Sequence, residues 1–147
     1  MLNLDEATLG IFKILNADAT LQSAAYLNGA GKIFKGVMAA DGVNLPIMVM
    51  HEYPVMLEGE QSQISILELR LILHLAAHVS SEANKKRAAL IGGRIADLVH
   101  QKRIVSDGVA ARCYAKLGPH PLRVIDGSPT PKENTFIFTY EVSAGRI

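Results

Sequence analysis

The sequence predicts an α+β fold, an antiparallel sheet of four or five strands with a long β-hairpin, packed against two helices. Three observations predict it. Every odd position from Leu67 to Ala77 is apolar while Glu68, Arg70 and His74 fall between them, which is the period of a long strand. Ser80, Ser81 and Glu82 then open an amphipathic helical pattern. The chain finishes on Phe136, Phe138, Tyr140 and Val142, alternating with Thr135, Thr139 and Glu141 in the manner of a half-buried strand.

The elements follow in order. Asp5 is placed to cap a first helix whose apolar side is Leu4, Thr8, Ile11, Phe12 and Leu15, with Asn16 to Thr20 as its polar exit. Residues 28–44 are rich in Gly and Asn and leave room for one short strand, Ile33 to Met38. From Leu45, one strand face carries Leu45, Ile47 and Val49 and the other Met48 and Met50, so both faces need cover. Pro46 sits at the strand's start, where a missing N–H does least harm. The turn from Pro54 to Gln63 joins this strand to the long one as an antiparallel hairpin.

A helical reading of Ser65 to Ala77 would scatter Leu67, Leu69, Leu71, Leu73 and Leu75 round the axis, whereas a strand puts all five on one side. The helix from Ser81 to about His100 then supplies the cover, through Asn84, Ala88, Ile91, Ile95, Leu98 and Val99. Gly92 falls on that stripe, where its missing side chain lets helix and sheet approach closely. Ala111, Cys113, Ala115 and Leu117 alternate with Arg112, Tyr114 and Lys116 as a further strand, and Pro119 to Pro131 reads as a structured loop.

Composition bounds what the chain does. At 147 residues it is expected to form a single domain, 1–147, able to bury roughly 68 to 70% of its unfolded surface. A net charge of +1 provides no global field for nucleic acid. The one cysteine, Cys113, has no partner for an internal disulfide, and the first residues lack a signal-peptide pattern, so a cytosolic site of synthesis is expected. The charges inside the longest apolar run exclude a helical membrane span. Mean hydropathy is nonetheless mildly positive, and a subunit interface is the natural place for the surplus.

No residue cluster announces catalysis or a cofactor. His74 and His78 have zinc-helix spacing, but Leu75 stands where the general base belongs, and on a strand the pair lies about 13 Å apart, too far to share an ion. Gly29, Gly31 and Lys32 suggest a phosphate loop, yet Tyr26 and Ile33 occupy the positions that need Gly and Ser or Thr, so a turn is expected. Lys85, Lys86 and Arg87 read as a solvated helix face, with contact to an acidic partner as the functional alternative; Lys102 and Arg103 form a second basic run. Cys113 on an apolar strand face is a poor nucleophile. Glu58 and Glu60 share a turn without the spacing of paired catalytic acids.

Taken together, Leu45 to Met50, the turn around Glu58 to Glu60, the strand Ile64 to Ala77, the helix from Ser81 and the strand Phe138 to Val142 resemble the tail terminator or minor tail (tail completion) proteins of bacteriophages and prophages. The resemblance covers over half of the chain, from residue 45 to the end with gaps. It implies a non-enzymatic subunit of the virion, assembled in the bacterial cytoplasm, that closes the tail tube as a homo-oligomeric ring, commonly a hexamer. Tail-tube and head-completion proteins would be its partners, with no nucleic acid, membrane or cofactor. Both-faced strands and surplus hydropathy fit such a subunit. The surface residues proposed for contact are Met48, Met50, Glu58, Glu60, Glu68, Arg70, Ile72 and His74. The alternative is a small α+β enzyme or ligand-binding domain with a site between the Gly29 segment and the Pro-rich loop; a third reading has Lys85 to Arg87 bind nucleic acid.

Overall fold

The computed structural model describes residues 3–36, 45–57, 64–76, 81–116, 122–124 and 133–147. Helix α1 spans Leu4–Ala17 and a short α2 spans Ala19–Gln22. Strand β1 is Ile33–Lys35, β2 is Ile47–Leu57 and β3 is Ile64–Ala76. After α3, Ser81–Val99, come β4 (Arg103–Ser106), β5 (Val109–Ala115), β6 (Leu122–Val124) and β7 (Glu133–Arg146).

The strands form one sheet in the order β1-β2-β3-β7-β5-β4, with β6 pairing β7 off that path. The sheet is thus larger than the four or five strands expected, there are three helices rather than two, and it is mixed, because β1 runs parallel to β2. The long hairpin is present: β2 and β3 pair antiparallel from Ile47↔His74 to Leu57↔Ser65. Leaving β3, the chain crosses through α3, builds the β4–β5 hairpin at the far edge and returns as β7 between β3 and β5. That insertion puts the most apolar strand face in the middle.

The hairpin β4–β5 turns on Asp107 and Gly108, whose φ values of 50° and 74° suit the tight turn that an Asp-Gly pair favours. Residues 117–121 and 125–132, with most of the Pro-rich loop, lie outside the described residues; β6 falls within that stretch and continues the lane of β5 along β7.

Local chemistry explains the helices. The cap of α1 is Asn3 rather than Asp5: the Glu6 N–H donates to Asn3 Oδ1 at 2.8 Å while Glu6 Oε2 accepts from the Asn3 N–H at 3.1 Å. Asp5 instead contributes first-turn negative charge. Asp18 ends α1, caps α2 by accepting from the Leu21 N–H at 2.9 Å, and grips α3 through Arg94, whose Nε and Nη2 donate at 3.0 and 2.7 Å. That double hydrogen bond holds the Asp18 carboxyl below its ordinary pKa.

One side of the sheet faces the helices. Leu67, Leu69, Leu71, Leu73 and Leu75 are buried there with Met48, Met50, Phe138, Tyr140 and Val142, beneath Ile11 and Leu15 of α1 and Ile91, Ile95 and Val99 of α3. Asn84, on the same stripe, is buried and donates its Nδ2 to Ala76 O at 2.9 Å, pinning α3 to the end of β3. At Gly92 a Cβ would lie 2.6 Å from Phe138 Cε1, so the close approach of helix and sheet is real. Gly10 plays the same part for α1, where a Cβ would lie 2.8 Å from Ile104 Cγ2.

Candidate functional site

Among the described residues no helix packs on the opposite side of the sheet, and its composition varies from one lane to the next. Strand alternation puts Ile47, Val49, His51 and Tyr53 of β2 beside Glu68, Arg70, Ile72 and His74 of β3, and these beside Thr135, Ile137, Thr139 and Glu141 of β7. Toward the free end of β2 the surface is polar and aromatic. Glu68 accepts from Arg70 Nε at 2.7 Å and from Lys116 Nζ at 2.9 Å, and Arg70 stacks over the Tyr53 ring, 4.5 Å from its centroid. The two cations, Lys116 foremost, hold the Glu68 carboxyl below the usual carboxylate range.

Four of the residues expected to face a partner therefore do share one surface: Glu68, Arg70, Ile72 and His74, each half-buried. Met48 and Met50 do not belong with them. Both are 0% exposed within the core, because their parity on β2 turns them toward the helices, and they offer no surface to another subunit. Their neighbours Ile47 and Val49 take the outer side instead, and these are buried as well. Glu58 and Glu60 lie outside the described residues, as does His78.

Sequence reasoning missed the far half of this surface. Arg103 of β4 stands directly opposite Arg112 of β5, both exposed, with Val105 and Tyr114 on the same side at 48% and 41% exposure. Among the described residues neither arginine makes an ion pair. The signal was present: Asp107-Gly108 between two short apolar alternations marks a hairpin, and the hairpin aligns the arginines.

Two concavities lie along α3. One, of about 410 Å³, is lined by Leu45, Pro46, Leu75, Asn84, Arg87 and Leu90. The other, of about 370 Å³, lies among Thr20, Tyr26, Leu90, Arg94 and Asp97. Three of their polar groups are committed to the fold: Asn84 to Ala76 O, Arg87 Nη2 to Ala24 O at 2.8 Å, and Arg94 to Asp18. Lys32, in the Gly-rich turn, donates to Pro46 O at 2.8 Å and Leu27 O at 3.4 Å, so it braces the turn rather than waiting for a phosphate. Cys113 is fully buried, and burial pushes its thiol up to about 12, which leaves no thiolate near neutrality. Among the described residues no group of three or more His, Cys, Asp or Glu is gathered to hold a metal ion, and no helix is long and apolar enough to cross a membrane.

No protein-family model and no curated protein matches the sequence. Solved structures do. A chain from the virion of a native gene transfer agent particle superposes with a TM-score of 0.66 at 13% identity, covering 94% of this chain and 93% of that one. A second solved chain gives a TM-score of 0.55 at 11% identity, covering 100% of this chain and 99% of its own length. These are likenesses of fold.

Proposed function

We propose that this chain is a structural protein of a phage or phage-like particle, and that it caps the tail tube as a ring, ending tail assembly or joining tail to head. The observation that carries the reading is the fold likeness to a virion chain over nearly the full length of both partners. Physical features of the monomer support it. Exposed Tyr53, Val105 and Tyr114 beside standing charges on the outer side of the sheet are the composition of a protein interface. In the concavities Asn84, Arg87 and Arg94 are already bonded within the chain, which counts against the ligand-binding alternative.

In this reading the chain works by binding copies of itself and the tube end, not by catalysis. Rings require head-to-tail contact, in which two different surfaces of the subunit meet and the rotation closes. Sedimentation velocity across a concentration series tests the reading. It expects a discrete species several times the 15.9 kDa subunit mass, with a hexamer as the expected ring; a subunit-sized species at every concentration overturns it.

A further inference from the structure

Strand β4 is an open margin of the sheet: β5 lies on one side of it and, among the described residues, no strand lies on the other. The two-residue turn at Asp107-Gly108 makes Ser106 and Val109 a hydrogen-bonded pair, and the ladder alternates from there. Ile104 therefore bonds to Ala111, while Arg103 and Val105 point their N–H and C=O groups away from β5. Among the described residues no backbone group of another element bonds to either of them. Helix α1 braces the strand from the core side, where a Cβ on Gly10 would touch Ile104 Cγ2 and Lys13 Nζ donates to Ser106 Oγ at 3.3 Å. The margin itself stays open, with Val105 48% exposed.

The side chains at this margin are unanswered too. Opposed residues that exchange no ladder bonds approach most closely, so Arg103 and Arg112 repel across the two strands, with no ion pair or hydrogen bond to relieve them among the described residues. A short edge strand with one charge is how proteins keep sheets from joining. A second arginine directly opposite adds repulsion without improving that protection, and exposed Val105 weakens it. We propose that the β4 margin receives an extended acidic segment of another protein, which adds to the sheet as a further strand. Its main chain bonds to the outward N–H and C=O groups of Arg103 and Val105. Opposite Arg103 it carries a carboxylate within reach of both guanidiniums, and two residues along it an apolar side chain meets Val105. A second copy's β4 is the poorer occupant, since it would bring another arginine pair to the first. The inference goes beyond the ring reading and does not depend on it.

Fluorescence polarisation with a labelled peptide of sequence SVTETVS tests it on the full chain, since this sequence presents apolar, acidic and apolar side chains on one side in either strand direction. Saturable binding that weakens as salt rises is expected. It should fall roughly tenfold or more for Arg103→Glu/Arg112→Glu, and for a peptide with Lys in place of Glu. Val105→Pro removes one outward N–H and spares the β4–β5 ladder, so it should keep native circular dichroism and lose the peptide. Absence of saturable binding overturns the proposal. So does equal binding by a peptide N-methylated at its Val and Glu residues, which keeps the charge but cannot pair as a strand. Should the variants not fold, that comparison on the wild type decides. A peptide that fails to bind while the arginine variant alone loses retention on duplex DNA assigns the pair to nucleic acid and overturns it. A Val105→Pro chain of lower oligomer mass that alone gains the peptide assigns the margin to a second copy, which also overturns it. A wild type of subunit size overturns the ring reading and leaves this one standing.

Discussion

Gly92 and Tyr140 show how tightly the core limits single residues. An alanine at Gly92 gains about 1 kcal/mol of helix propensity, but its Cβ would fall 2.6 Å from Phe138 Cε1 beneath a fully buried helix stripe. Gly92→Ala is therefore expected to cost about 1 to 3 kcal/mol net in denaturant unfolding, and an equal or higher midpoint would mean that the Phe138 ring moves freely. Tyr140 presents the opposite case. Its hydroxyl is buried without a hydrogen-bond partner among the described residues, and burial raises its pKa, so it stays neutral. Tyr140→Phe removes an unsatisfied polar atom at constant shape, and stability should be unchanged or rise by up to about 1 kcal/mol. A clear loss of stability would reveal a partner for that hydroxyl.

Among the elements, α2 and α3 hang together on Asp18. The carboxylate caps α2 and takes both donors from Arg94, so its folded pKa lies below the ordinary value of 3.8. A depressed carboxylate contributes stability that is fully present above its unfolded pKa and is lost as pH falls through the folded one. Asp18→Asn should cost about 1 to 3 kcal/mol near neutrality and flatten the loss of stability below about pH 4. An acid-unfolding limb identical to wild type would place that titration elsewhere.

What the sequence made legible follows the same division by element. β3, β7 and α3 declare themselves because each has one apolar side repeated at its own period over many residues, and Leu67 to Leu75 do lie beneath the helix that starts at Ser81. β1 and β4 are three and four residues long, too short for a period, and β1 pairs parallel with β2. Met48 and Met50 lie in the core and not on the expected contact surface, because a strand apolar on both sides does not say which side meets the helices. Arg103 and Arg112, nine residues apart, become neighbours only once the Asp107-Gly108 turn sets the hairpin register.

For the whole molecule, the side of the sheet opposite the helices is where the proposed assembly acts. Arg70 sits at its centre, bonded to Glu68 and stacked on Tyr53, so Arg70→Glu would oppose the Glu68 carboxylate and strip the aromatic contact. The expected outcome is a folded subunit that assembles less readily; an unchanged oligomer mass would remove this surface from the interface. The central claim is the ring itself, and electron microscopy of the purified wild type in negative stain tests it most directly. Closed annular particles with a central opening and a fixed number of subunits are the predicted result. Uniform compact particles of subunit size, or open filaments without closure, would contradict it.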